Sequence, residues 1–250
     1  MSGSFSAAPA PRTEFLSSVS YAHRGLHGQG LIENSLPAFT AALAAGYGIE
    51  CDVRLSADGT VFVFHDAELD RLTNETGRFA DWPDDALKAI DLAGGGPIPS
   101  LATLLSEIDG RTPLLIELKV DQGTRPAPLC AAVARCLRGY SGPVAVMSFH
   151  PGVSRWFNRN APSMARGLVI TEEDQKTVWG KLKRYLALYA AQPDFLAYDI
   201  RDLPSPFATN ARARGMPVLS WTVQSDAQWQ TVRRWADAAI FEGEPETNYG

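Results

Sequence analysis

The chain has three cysteines among its 250 residues, an odd number without paired spacing. A core of this size needs no disulfide staples. Cys130 and Cys136 are six apart in an expected helix and do not face each other across one turn. Reduced thiols and a cytoplasmic setting are therefore expected. Basic charge is not in excess: 23 Lys and Arg against 28 Asp and Glu leave a formal charge of −5. The basic stripe of a nucleic-acid-binding protein is missing. No apolar run approaches the length of a membrane span, so no stable membrane anchor is expected. Residues 1–14, rich in Ser, Ala and Pro, lack an apolar stretch after a basic start. They are expected to be a disordered leader to one domain over 15–250. No Gly-x-Gly-x-x-Gly follows the first strand, which weighs against an open doubly wound sheet.

What is present is an ordinary globular composition, 45% hydrophobic and 20% charged. Short apolar runs at 19–23, 47–54, 114–119, 144–149, 167–170, 195–199, 218–223 and 238–241 read as strands. Helical patterns at 36–45, 100–108, 127–137, 151–160, 174–190, 204–214 and 227–236 separate them. Eight strands alternating with helices predict an α/β chain closed as a (β/α)8 TIM barrel. One apolar run, 61–64, is left over. Only residues 55–60 separate it from the second strand, too few for a parallel crossover. Ala57-Asp58-Gly59 is good turn chemistry, so these runs form a β-hairpin. A turn centred on Ala57 and Asp58 sets Val63 opposite Asp52 and His65 opposite Glu50. Residues 67–99 fit neither period and read as a polar insertion at the rim.

The chemistry gathers at strand ends. Glu50 and Asp52 are two apart on a strand and share a face, as do Glu117 and Lys119. Barrel strands deliver such side chains to their C-terminal ends, where active sites sit. Glu50, Asp52 and Glu117 there would repel one another unless neutralised. A hard divalent cation, Mg²⁺ or Ca²⁺ with Mn²⁺ as substitute, resolves the conflict. A salt-bridge network with Lys119 and Arg24 or Arg54 resolves it equally well. His23 and His65 end strands at the same rim and suit a general base and a general acid. A strand-end histidine also serves as a plain core or capping group. His27 has helical ligand spacing from His23, but Gly25, Gly28 and Gly30 exclude a helix there, so it is a poor candidate. His150 reads as a helix cap or rim residue. Arg24 and Lys119 suit phosphate oxygens, or simple charge balance. Glu33 would orient a histidine or ligand, Asn34 or Ser35 would cap the first helix, and Asp66 would orient His65. Phe149 and Trp221 would form an apolar wall.

The order and spacing of these pieces resemble the glycerophosphodiester phosphodiesterases. The matching motifs are His23-Arg24-Gly25, Glu33-Asn34-Ser35, Glu50-x-Asp52, Asp58-Gly59, His65-Asp66, Leu69-x-Arg71-x-Thr73 with Gly77, Ile98-Pro99-Ser100-Leu101, Glu117-x-Lys119 and Trp221-Thr222-Val223. The resemblance implies a barrel with a small insertion, as in the small cytoplasmic bacterial members. It implies one divalent cation on Glu50, Asp52 and Glu117, His23 and His65 as the acid/base pair, and Arg24 and Lys119 on the phosphate. The implied reaction is hydrolysis of a glycerophosphodiester to sn-glycerol 3-phosphate and an alcohol. A lysophospholipase D-like or phospholipase D-like enzyme on the same barrel is the alternative, and a non-catalytic phosphodiester-binding barrel another. Two departures stand out: Ile32 replaces a frequent Pro, and Glu242 stands where the family usually has Asp. The second lies at the rim and bears on substrate preference.

Overall fold

A computed structural model describes residues 11–173 and 176–243. The chain runs β1 (Tyr21–Ala22), α1 (Leu36–Ala44), β2 (Gly48–Leu55), β3 (Val61–Val63), α2 (Asp84–Ala89) and α3 (Leu101–Ile108). It continues β4 (Leu114–Leu118), α4 (Ala127–Cys136), β5 (Val144–Ser148), α5 (Pro151–Asn160), β6 (Ala165–Ile170) and α6 (Val178–Ala191). It ends β7 (Phe195–Asp199), α7 (Pro206–Ala213), β8 (Val218–Val223), α8 (Asp226–Trp235) and β9 (Ala238–Phe241). Strand β1 pairs in parallel with both β2 and β9, which closes eight parallel strands into a (β/α)8 barrel. Strand β3 folds back antiparallel on β2.

Alternation along the strands sorts the core into two layers. Ile49, Cys51, Val53, Ile116 and Leu118 pack outward with helix residues such as Phe39, Leu104 and Val133. Leu115, Met147, Val169, Phe195, Leu219 and Ile240 fill the lumen. Glu50, Asp52 and Glu117 have the lumen parity. Gly48 shares it near the floor, where a Cβ would lie 2.6 Å from the Tyr21 ring. Removing the side chain there lets Tyr21 fill the lumen below the carboxylates.

Four details differ from the sequence reading. The first strand is two residues long, although Gly48 N donates to Ser20 O and His23 N to Phe241 O on either side of it. Strand-like bonding thus covers more of 19–23 than the ladder does. The hairpin is shifted by one residue: Val63 pairs with Val53, not Asp52. Its loop spans five residues, closed by Ser56 N donating to Thr60 O, with Gly59 at φ +82°. The expected leader overlaps an ordered segment, a 3-10 helix over Pro11–Ser17. Leu16 plugs the lumen floor, and Arg12 makes two bonds to Asp194, at 2.5 and 3.1 Å. Residues 1–10 lie outside the described residues. The insertion 67–99 has an apolar underside: Leu69, Leu72, Phe79, Leu87, Ile90, Leu92 and Ile98 pack on Phe62 and Phe64. These residues follow no period because the segment is mostly turns.

Helix α6 was expected from 174. Its described part starts at Val178 behind a Thr177 cap, and 174–175 lie outside the described residues. It turns Trp179, Leu182, Tyr185, Leu186 and Tyr189 outward, because Gly180, Arg184 and Ala191 occupy its inner face. No described helix is long and apolar enough to cross a membrane.

Candidate active site

The backbone after β1 turns sharply. Arg24 and Gly25 both have positive φ, +55° and +81°. A Cβ on Gly25 would lie 2.9 Å from Ala38, so only glycine lets this turn rest on α1. The turn aims Arg24 N at Glu50 Oε2, 3.0 Å away.

Register sets Asp52 beside Glu117 on neighbouring strands, with Glu50 one pleat below. Glu50, Asp52 and Glu117 are buried, and one oxygen from each lies within 4.8 Å of the others. Burial pushes the Glu50 pKa up to about 8, and the Asp52 charge adds to this. Burial would raise Asp52 too, but Lys119 and Arg24 outweigh it and hold that carboxyl well below the usual range. Lys119 Nζ stands 2.9 Å from Glu117 Oε1 and 3.3 Å from Asp52 Oδ1, and Arg24 Nε stands 3.1 Å from Asp52 Oδ2. The salt-bridge network weighed above is therefore present around Asp52 and Glu117. Arg54 takes no part; it bonds Asp121 and the His65 carbonyl. Glu50 is left over: its Oε1 is buried and accepts no hydrogen bond.

Each of two histidines is backed by a carboxylate. His23 Nδ1 lies 2.6 Å from Glu242 Oε1, and His65 Nδ1 lies 2.7 Å from Asp66 Oδ1. Burial lowers the His23 pKa, but Glu50 and the Glu242 bond outweigh it and the net shift is upward. His65 is shifted downward by burial, with Lys119 and Arg24 reinforcing it against Asp52 and Asp66. The bond with His23, and the His27 imidazole close by, hold Glu242 far below the usual carboxylate range.

A chain of ion pairs fixes the rest. Asp66 accepts from Arg71 Nε at 2.6 Å, Arg71 grips both oxygens of Glu33, and Glu33 Oε1 accepts from Arg24 at 2.7 Å. Glu33 thus clamps Arg24 to the insertion. Phe149 and Trp221 meet edge to face, ring centres 5.4 Å apart, and the Trp221 indole donates to Ala197 O. They wall a cavity of about 390 Å³ with His23, Arg24, His65 and Lys119. A larger cavity, about 650 Å³, opens among Ser18, Tyr47 and Val232 and holds none of these groups.

All ten candidates from the sequence lie in this one region. His150 caps α5 by accepting from Gly152 N. Ser35, not Asn34, caps α1; Asn34 turns inward to Asp52. Three contacts escaped the sequence reading: Asn34 on Asp52, Glu242 on His23, and His27 near Glu242. Glu242 was legible in principle, since closure of the barrel sets the end of the last strand beside the end of the first.

Among proteins of known sequence, the glycerophosphodiester phosphodiesterase of Caldanaerobacter subterraneus subsp. tengcongensis is 25% identical over 237 residues, 90% of this chain and 94% of that one. The enzyme of that name from Bacillus altitudinis is 32% identical over 153 residues, 57% of this chain and 62% of its own. Among solved structures, a phosphodiesterase from Oleispira antarctica in complex with its product sn-glycerol-3-phosphate superposes with a TM-score of 0.78 at 25% identity, covering 91% of this chain and 94% of that one. The Thermotoga maritima glycerophosphodiester phosphodiesterase superposes with a TM-score of 0.72 at 25% identity, covering 89% and 94%. Residues 23–247 match the glycerophosphoryl diester phosphodiesterase family, from the first site histidine to beyond the last strand. The chain belongs to that family of phosphoric diester hydrolases.

Proposed function

We propose that the protein hydrolyses glycerophosphodiesters to sn-glycerol 3-phosphate and an alcohol, with one divalent cation held by Glu50, Asp52 and Glu117. The observation that carries this is the buried trio itself, in which Glu50 Oε1 has no partner. An all-oxygen donor set of three carboxylates fits Mg²⁺ or Ca²⁺, with Mn²⁺ as a substitute. The product held by the Oleispira relative supports the substrate class.

Glu50, Asp52 and Glu117 would hold the cation, which when bound would supply Lewis-acid polarisation of the phosphate. Arg24 and Lys119 offset negative charge developing on the phosphoryl group. His23 donates Nδ1–H to Glu242, which leaves Nε2, on the Glu50 side, free to take the proton of the attacking hydroxyl. His65, backed by Asp66, protonates the leaving alkoxide. The two shifts support this division: His23 is the stronger base and His65 the stronger acid. Phe149 and Trp221 shield one side of the cavity from water. A cytoplasmic setting goes with the proposal, supported by three unpaired cysteines.

The test is release of glycerol 3-phosphate from glycerophosphocholine, glycerophosphoethanolamine and glycerophosphoglycerol, each with Mg²⁺, Ca²⁺, Mn²⁺ or EDTA. Release that EDTA abolishes is expected. Turnover that survives EDTA removes the cation from the reading. Turnover of lysophosphatidylcholine alone replaces the substrate class.

A further inference from the structure

The turn after β1 carries a histidine for which the hydrolysis has no use. His27 N donates to Gly25 O, and Gly28 and Leu31 bond each other across the loop base. This fold turns His27 back toward the end of β9. Its Nε2 is buried, makes no hydrogen bond, and lies 3.7 Å from Glu242 Oε1. His23 Nδ1 lies 2.6 Å from the same oxygen. One ligand atom each from His23, His27 and Glu242 falls within 4.8 Å of the others. Helical spacing plays no part, since the glycine turn, not a helix, brings the two imidazoles to one carboxylate.

This donor set differs in kind from the oxygen trio below it. Two imidazoles and a carboxylate suit a borderline transition metal, whereas three carboxylates suit a hard cation. Bonds of about 2.0–2.2 Å in a tetrahedral site set ligand atoms about 3.3–3.6 Å apart, so the 2.6 Å His23–Glu242 contact must open, while the 3.7 Å His27–Glu242 distance nearly fits already. All three side chains are partly exposed and have room to shift. Gln224 holds the other Glu242 oxygen, Oε2, at 2.5 Å and so keeps Oε1 turned toward the histidines.

We propose that His23, His27 and Glu242 form a second cation site, selective for Zn²⁺ and similar ions, that switches the enzyme off. The inhibition rests on His23 being the base; the binding does not. An ion on His23 takes the Nδ1 lone pair. The neutral ring must then carry its proton on Nε2: the Nδ1 proton is lost, Nε2 gains one, and the net proton count is unchanged. A ring protonated on Nε2 has no lone pair for the attacking hydroxyl. Zn²⁺ therefore blocks proton abstraction without touching Glu50, Asp52 or Glu117.

The experiment titrates Co²⁺, a visible-absorbing substitute for Zn²⁺, into the full chain with Mg²⁺ saturating, and in parallel measures Zn²⁺ inhibition of turnover. The parent should show the intense visible band of a low-coordinate nitrogen-ligated cobalt site, and Zn²⁺ should inhibit. His27→Gln should keep the Mg²⁺-supported rate, lose the band, and need roughly tenfold more Zn²⁺ or beyond for half-inhibition. His27→Asn should repeat this, guarding against a fold effect of one substitution. A band and an inhibition curve unchanged in both variants would place the ion in the carboxylate trio and overturn the proposal, as would absence of any band in the parent. The cobalt band reads out even if no glycerophosphodiester is turned over, so failure of the proposed reaction remains distinct from failure of this site.

Discussion

Asn34 holds Asp52 from two sides. Its Nδ2 donates to Asp52 Oδ2 at 3.0 Å, and its Oδ1 accepts from the Asp52 backbone N at 3.3 Å. Both residues are fully buried, and Asn34 adopts φ +55°, a region that asparagine tolerates better than most residues. The contact fixes both the side chain and the strand position of one proposed cation ligand.

Asn34→Ala should therefore weaken the cation more than it weakens the fold. A lost outer partner of a metal ligand costs roughly 10–100-fold in affinity. Excess cation should restore much of the rate. Ser35→Ala, which removes the cap of α1, should cost about 1 kcal/mol of stability and leave the cation midpoint alone. Titrating activity against Mg²⁺ and Ca²⁺ beside thermal melts separates the two. Equal cation midpoints in parent and Asn34→Ala would remove Asn34 from the site.

The two histidines can be told apart by the leaving group. Each alanine variant should lose roughly a hundredfold or more in turnover of glycerophosphocholine. A p-nitrophenyl ester of glycerol phosphate needs no proton on departure. On that substrate His65→Ala should recover most of its rate, while His23→Ala should stay impaired. The reverse pattern would exchange their roles, and near-parental turnover in both variants would end the acid/base assignment.

Barrel parity made much of this legible. Glu50 and Asp52, and then Glu117 and Lys119, announce a shared face by a spacing of two, and the alternation of strands and helices implies the closure. What escaped was non-local or singular. The His23–Glu242 pair depends on the β1–β9 contact, 219 positions apart. Arg12 and Leu16 are single anchors in a segment of low hydrophobicity. The hairpin slipped by one residue because a five-residue and a four-residue loop suit the same turn letters. His27 was passed over because helical spacing is the wrong test for a loop turned by glycines.

Cation binding should couple to pH through Glu50. Folded Glu50 keeps its proton up to about 8, against 4.5 for the ordinary group. Between those values the unfolded chain has lost a proton that the folded chain retains. The stability tied to that proton is fully present below the unfolded value and is lost as pH rises through the folded one. The cation needs the carboxylate, so its affinity should climb over the same window. In EDTA, the Glu50 contribution should lower the melting temperature from about pH 5 to about pH 8. The rise in melting temperature on adding Mg²⁺ or Ca²⁺ should grow across that range. A cation-induced rise that does not depend on pH would show that Glu50 is not a ligand.

Gly25 ties the fold to the chemistry, and Gly28 provides the comparison. Both have positive φ, +81° and +99°. Alanine at either position must adopt a left-handed backbone, at about 1–2 kcal/mol. At Gly28 a Cβ meets nothing within 4 Å, so Gly28→Ala should cost only that strain. At Gly25 the Cβ meets Ala38 backbone and side chain at 2.9 Å, and α1 must move away or the turn must open. Leu26 N donates to Ala38 O there, so the clash falls on a bond that seats the turn. Gly25→Ala should lose roughly 3 kcal/mol or more in total. Its opening shifts Arg24, whose backbone holds Glu50 and whose side chain faces Asp52. Turnover of the folded fraction should therefore fall in Gly25→Ala and hold in Gly28→Ala. Urea midpoints at unchanged slope measure the first effect, and kcat at a temperature where both variants are folded measures the second. Equal losses in the two variants would mean that the turn's contact with α1 does not position Arg24.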